Sequence, residues 1–487
     1  MNIKNILSII LFLGIVLSAC NSSPDSYDSL KQDANIYPQY EGTVIPYNIA
    51  PLNFRIQEDG DKYFVRFVVQ GEDSFDITTK KDVQIPLKKW KKLLKNNNGK
   101  NILVKIFSHK ENKWIKYNDI EFTIANDPVD PYMAYRLIEP GYNAWNKMGL
   151  YQRCLETFEE KPIIENSLTD KNCMNCHTFH KHNPELMVFH MRGKNGGTIL
   201  TKNEEIKKID TKAPWMVGAG VYPRWHPEAR YIAFSTNKTF QIFHSLDSNK
   251  IEVFDLESDL IIYDTERDRI FTDSIFHSKN SYETFPEWSA DGKFLYFCTA
   301  PAIEMPYNYD KIRYSLVRVA FDPANEVFSN EVDTLISAYQ TGKSVSIPRI
   351  SPDGKKLVFC MFDYGTFPIW HKENDLYELD LESKEITELA ILNSKESDSF
   401  HSWSSNGRWM LFSSRRIDGT YTRPYIAYRD DTGKWHKPFL VPQKQPDYYD
   451  FLMKSYNVPE FITGEIKISP NKFEEVGKSK AVVPISK

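Results

Sequence analysis

The chain has 487 residues, 41% of them hydrophobic and 26% charged, a globular composition with room for two or three domains. Disorder, collagen and a disulfide mini-scaffold are excluded, and 30 Phe, 27 Tyr and 10 Trp favour strands over a helical bundle. Basic and acidic residues nearly balance, 61 against 65, for a net charge of −4, so no overall field recruits nucleic acid or an anionic membrane surface.

Residues 1–19 read as a secretory signal: Lys4, an apolar run from Ile6 to Leu17, then Ser18 and Ala19 before Cys20. The run is shorter than the roughly 20 apolar residues of a membrane-spanning helix. Leu17-Ser18-Ala19-Cys20 resembles the lipobox of bacterial lipoproteins, which implies cleavage before Cys20 and lipidation of that cysteine; an ordinary signal with an incidental Cys is the alternative. Residues 20–39 are polar and predict a flexible tether. Asn21 follows the cysteine where Asp would resemble an inner-membrane retention signal, so the expected location is the outer membrane, facing the periplasm.

Residues 40–127 predict a small immunoglobulin-like β-sandwich, with strands at Tyr63 to Val69, Asn101 to Ile106 and Ile120 to Ile124. Between them Leu87, Trp90, Leu93 and Leu94 fall on one face of a short basic helix. Such a helix can bind a membrane surface, but its length suits a connection inside the domain.

Four segments further on superimpose without gaps: Tyr222 to Phe234, Phe285 to Phe297, Ile347 to Phe359 and Phe400 to Phe412. Asp291-Gly292, Asp353-Gly354 and Asn406-Gly407 supply the positive backbone angles of tight hairpin turns. A second hairpin follows each, and four strands per unit make a propeller blade. Ser351-Pro352-Asp353-Gly354-Lys355 resembles the blade repeat of TolB-type β-propellers; Ala229 in place of Gly is the largest departure. Residues 184–470 are therefore expected to form a propeller of five to six blades. Six would need strands from residues 128–165 or from Tyr456 to Ile468. Residues 128–183 are read as a connecting region and 471–487 as a polar tail.

That connecting region holds Cys173-Met174-Asn175-Cys176-His177, which resembles the c-type haem attachment motif. Thiols three residues apart can form thioethers to two vinyl groups on one edge of haem, with the next histidine as proximal iron ligand. Composition alone predicts roughly 0.002 such triplets. Zinc held by Cys173, Cys176 and two of His177, His180 and His182, or a Cys173–Cys176 disulfide, are the rival readings.

A low-spin carrier needs a sixth ligand. His180, His182, Met187, His190, Met191 and Met216 are near in sequence. His190 is favoured because a predicted strand would hold it in place, with Met191 as the alternative; a blade histidine bonded to backbone is the competing reading. Arg192 is a candidate for a haem propionate. Cys298 and Cys360 share one repeat position with Ser235 and Ser413 and read as small buried residues. Cys154 reads as an unpaired thiol.

The combination resembles the propeller lipoproteins of Gram-negative bacteria with a single haem-binding motif. It implies an all-β, membrane-tethered monohaem cytochrome passing electrons to a protein docked on the propeller. The alternative is a non-enzymatic scaffold binding an envelope protein or polymer, with a structural haem or zinc. A haem-dependent enzyme would need an open iron position and a distal acid-base group. No nucleophile elbow or phosphate loop is present in the sequence, and no catalytic residue is assigned.

Overall fold

A computed structural model describes residues 23–69, 74–140, 146–202, 205–245 and 249–486, so Cys20 lies outside the described residues. The chain divides into two units, residues 1–47, 51–126 and 442–448 in one, the remainder in the other. No helix among the described residues is long and apolar enough to cross a membrane.

The first unit is a β-sandwich. A seven-stranded sheet centred on Lys62–Val69 and Asn101–Lys110 faces a three-stranded sheet of Ile36–Tyr37, Phe54–Ile56 and Asp82–Val83. Alternation along Lys62–Val69 buries Tyr63, Phe67 and Val69, and Phe67 meets Phe54 of the smaller sheet. The helix Leu87–Lys95 buries Trp90, Leu93 and Leu94, and Trp90 packs on Phe67 and Phe122. Its apolar face is thus spent inside the domain. Asp28–Asp33 pairs in parallel with Lys113–Asn118, so the expected tether over 20–39 is in part a strand of the sandwich.

The second unit is a six-bladed β-propeller. Cys173–Phe179, Gly220–Trp225, Ser281–Trp288, Ser344–Ile350 and Asp398–Trp403 are the inner strands of blades two to six. Blade one combines Tyr132–Ile138, Gly149–Cys154 and Glu160–Glu165 with the late strand Ser455–Ile462 as its inner member. Both segments that a sixth blade required are therefore used, and strands from the two ends of the unit share one sheet, which removes an open edge.

Two sequence boundaries change accordingly. Residues 128–183 are not a connection: they supply most of blade one and the inner strand of blade two. The segment 471–487 is not a free tail either. The helix Pro470–Lys478 buries Phe473 against Phe189, and Ile485–Ser486 adds a parallel fifth strand to blade three.

Every inner strand is interrupted in the same way. Cys176, Tyr222, Phe285, Ile347, Phe400 and Val458 all have φ between 47° and 54°, each at a break in register with the neighbouring strand. Left-handed backbone is costly for any side chain and most of all for Val and Ile. Its repetition around the ring marks it as architecture. The residue at the break is followed by Pro or His, then a polar residue, then Phe, Trp or Ile. The turns repeat too: Ser289, Ser351 and Ser404 each donate to the acid or amide two residues on, at 2.6 Å, and Ala229 takes φ 58° where sister turns use glycine.

Side-chain alternation glues the blades. Met187, Phe189 and Met191 pack with Leu150 and Ile164 of blade one, while Val188 and Leu200 face Ile232 and Phe234 of blade three. Cys298 and Cys360 lie fully buried, where burial pushes both thiols up.

Candidate functional site

The six inner strands line the propeller channel. Residues early in those strands wall a cavity of about 270 Å³, and residues late in them wall a second of about 300 Å³. Arg224, Arg349 and Glu460 border both. These come from the polar position of the repeat. Arg224 reaches Glu287 at 2.6 Å and Glu460 at 3.1 Å, Arg349 reaches Glu287 at 3.5 Å, and Thr178 donates to Glu460. Alternating charges thus satisfy one another in the middle of the channel.

Cys173, Cys176 and His177 all lie on the first cavity. Cys176 is the break residue of blade two, so the local kink that the propeller requires also turns the strand between the second thiol and the histidine. Cys173 pairs with Arg192 across the ladder, and the exposed Arg192 borders the same cavity. Cys173, Cys176, His177 and Arg192 therefore border one cavity. Both cysteines are free thiols. Burial pushes the Cys176 thiol up against the opposing pull of Arg192, the Tyr222 backbone and Arg136.

His177 is 2% exposed; its ring leans on the Ala134 backbone, but neither nitrogen completes a hydrogen bond of good geometry. Burial lowers its pKa to about 4, with Glu460 and the Ala134 backbone pulling the other way. The imidazole is neutral at pH 7. Beside it, Asn175 Oδ1 and Arg136 Nε are also buried and unpartnered, and both residues line the cavity. A buried polar group without a partner costs about 1–3 kcal/mol. All three residues border the same cavity.

The sequence reading of the sixth ligand does not survive. His190 faces Asn175 across the ladder, but strand alternation turns its ring toward blade three, where Nδ1 shares a 3.0 Å hydrogen bond with Thr198 Oγ1. It is not on the cavity wall. Burial lowers its pKa to about 3, in keeping with a neutral interior histidine. Met191 and Met187 are fully buried between blades one and two, and Met216 packs between blades two and three.

The zinc set is not assembled either. His180 donates to the Pro227 carbonyl at 2.9 Å and His182 to the Phe461 carbonyl at 3.1 Å; both border the second cavity, while the cysteines border the first. Among the described residues no group of three His, Cys, Asp or Glu is placed to hold a metal ion.

Sequence reasoning missed Arg136, Asn175 and Tyr222 as members of the site. Tyr222 opens the first recognised repeat and packs at a tilt against Phe285, the next break residue, with ring centroids 4.4 Å apart; extending that repeat to Cys176 would have found it. Arg136 carries no sequence signal.

No protein-family model matches this chain, and neither does any curated protein. Among solved structures it is similar to a DUF4784 family protein from Bacteroides caccae, with 10% identity and a TM-score of 0.32 over 76% of this chain and 98% of that one. It is also similar to a puromycin-hydrolysing peptidase from Mycobacterium tuberculosis, with 9% identity and a TM-score of 0.37 over 86% of this chain and 57% of that one. A GH43 endo-arabinanase from Bacillus licheniformis shares 12% identity with a TM-score of 0.31 over 54% and 97%. None of these likenesses bears on the chemistry of the site.

The residues present fit a c-type haem. Two thiols and a neutral imidazole border one cavity, whose wall also carries aromatic rings, Tyr222, Phe285 and Phe400 among them, and the guanidiniums Arg136 and Arg192.

Proposed function

We propose that the chain is a lipid-anchored envelope protein of TolB type that carries one covalent haem c at the mouth of its propeller channel and exchanges electrons with a protein docked there. The observation that carries this reading is His177, a buried imidazole without a well-formed hydrogen bond, on the same cavity as Cys173 and Cys176. Cys173 and Cys176 would hold the thioethers and His177 the iron, with Arg192 and Arg136 toward the propionates. Bound there, haem would supply reversible one-electron chemistry.

The chain's own contribution is positional and electrostatic. Burial keeps His177 unprotonated, so its lone pair is available to a metal across the physiological range. The break at Cys176 is shared by every blade, so the motif rests on the most constrained backbone of the propeller. Cys20 would tether the protein to the outer membrane on its periplasmic side, the lipid being its only membrane attachment.

A scaffold reading has one observation of its own. His401 stands at the same repeat position as His177 and donates to Val358 of the neighbouring blade, at 2.9 Å, with its Nδ1 likewise buried and unpartnered. If His177 does no more than this, the propeller works through what its cavities bind, an envelope protein or polymer.

The deciding experiment is a pyridine haemochrome assay on protein produced with the c-type maturation machinery, beside a Cys173→Ala, Cys176→Ala variant. A covalent haem signal in the wild type alone is the expected result. Its absence from properly matured wild type overturns the haem reading and leaves the scaffold.

A further inference from the structure

We infer that the second cavity is a binding site for a small organic monocarboxylate, whose carboxylate meets Arg349 and whose apolar body lies against the tryptophans of the wall. The inference is independent of the haem reading, because this cavity lies across the charged belt from Cys173, Cys176 and His177.

The repeat itself builds the wall. Phe179, Trp225, Trp288 and Trp403 hold one repeat position in blades two, three, four and six, and all four border the cavity. Two of the indoles are pinned: Trp288 Nε1 donates to the Arg224 carbonyl and Trp403 Nε1 to the Arg349 carbonyl, each at 3.2 Å. Their N–H groups are thus spent on the backbone of the belt, and the rings stand as a preformed apolar wall. A space of about 300 Å³ is at the lower end of small-molecule sites, in which apolar walls carry a few placed polar groups.

Those polar groups favour an anion. Arg224 is committed to Glu287 at 2.6 Å, Glu460 at 3.1 Å and Thr178 at 2.8 Å. Arg349 is less so: its Nη1 meets the Pro348 carbonyl at 2.7 Å and Glu287 at 3.5 Å, and among the described residues nothing bonds its Nε or Nη2. That edge of a guanidinium matches the two oxygens of a carboxylate. The side chain is 13% exposed, so it is largely desolvated yet reachable. On the rim, exposed Lys181 takes φ 45° in the turn that stands where sister blades carry Asp-Gly. Three cations, Arg224, Arg349 and Lys181, thus border the cavity with two carboxylates, Glu287 and Glu460. One surplus positive charge suits a monoanion, and the two carboxylates work against a dianion such as phosphate.

Isothermal titration of the full-length protein with 3-phenylpropanoate and with octanoate tests this, each beside its neutral amide. The expected result is one site per chain for at least one of the acids, with its amide weaker by about tenfold or more. Arg349→Gln is expected to weaken the acid by about tenfold or more, and Lys181→Gln, at an exposed position outside the core, by about threefold. Ala290→Phe, which crowds the second cavity, should abolish binding, whereas Thr239→Phe at the first cavity should leave it unchanged. No binding of either acid at about 10 mM overturns the inference. So do equal affinities of acid and amide, affinity unchanged in both charge variants, binding that survives Ala290→Phe, or displacement of the acid by an equal concentration of inorganic phosphate. A haemochrome result of either sign leaves this test standing, so the two readings fail separately.

Discussion

His177 and His401 occupy the same position in blades two and six: His401 donates to the Val358 carbonyl at 2.9 Å, whereas His177 leans on the Ala134 backbone of the preceding blade without completing a hydrogen bond of good geometry. The other four blades place Pro223, Pro286, Pro348 and Pro459 there. The fold therefore needs neither an imidazole nor a backbone N–H at this point.

A first prediction follows from those prolines. His177→Pro meets a backbone that four sister strands already give to proline, so the unloaded chain should keep its fold, with a thermal midpoint within about 3 °C of wild type. On the proposed haem reading, the same change in the matured protein should remove the iron ligand and alter the haem spectrum. Circular dichroism melting and absorption spectra check the two halves. A collapsed midpoint would give His177 a packing role and favour the scaffold.

Asp255 supplies a second. It is 2% exposed, accepts one side-chain hydrogen bond, from Asn237 at 2.9 Å, and burial raises its pKa to about 7. The folded chain thus holds a proton that the unfolded chain releases near pH 4. Stability from this group is complete below pH 4 and lost as pH rises through 7. Asp255→Asn should be no more stable than wild type at pH 4 and clearly more stable at pH 8. Urea denaturation at the two pH values measures the difference; a gap that does not widen with pH would refute the assignment.

Much of this architecture was legible in the sequence because the propeller repeats itself. Asp353-Gly354 and its sisters announce hairpins through backbone angles that few residues tolerate, and alternation in Lys62–Val69 announces a half-buried strand. Blade one was not legible as a unit, since its inner strand comes from Ser455–Ile462, far from the strands it joins, and Val458-Pro459-Glu460-Phe461 lacks the Asp-Gly turn that flags the other repeats. Cys176-His177-Thr178-Phe179 was hidden for the opposite reason: its cysteines and histidine drew attention as a motif, although the same four residues fit the repeat. His190 is legible as a strand residue, but the face it takes depends on how the blades pack, and its ring turns to Thr198.

The long hairpin of Tyr231–Phe243 and Ile251–Asp264 gives a third prediction. Its Thr239, Gln241 and Val253 border the first cavity, and its Glu252 is held at 3.1 Å by His371, whose other nitrogen meets Glu373 at 3.0 Å. Tyr364 donates to Glu252 at 2.7 Å. Although burial opposes it, these two carboxylates raise the His371 pKa to about 9. Its contribution is complete below the unfolded value near 6.5 and fades as pH rises through 9. His371→Ala leaves Glu252 buried without its cation and should cost about 3–5 kcal/mol at pH 6, with a smaller loss at pH 10. Denaturant titrations at both pH values are the check, and equal losses would rule out the ion pair as the source.

The repeated break gives the last. Ile347 and Val458 are both β-branched residues held at φ near 50°, a conformation that costs roughly 1–2 kcal/mol relative to glycine. They differ in what they bury: Ile347 is 0% exposed, whereas Val458 is only partly buried on the cavity wall. Glycine at either site relieves the backbone and adds about 0.4–1 kcal/mol of unfolded-state entropy to be overcome. At Ile347 the lost burial and the cavity left behind amount to about 2–5 kcal/mol, which outweighs the relief. At Val458 the smaller lost area and the relief nearly cancel. Ile347→Gly should therefore destabilise by about 2 kcal/mol or more, and Val458→Gly should stay within about 1 kcal/mol of wild type. Equal and large losses at both sites would mean that the break carries no strain for glycine to release, and that the side chains at these positions are held there by packing alone.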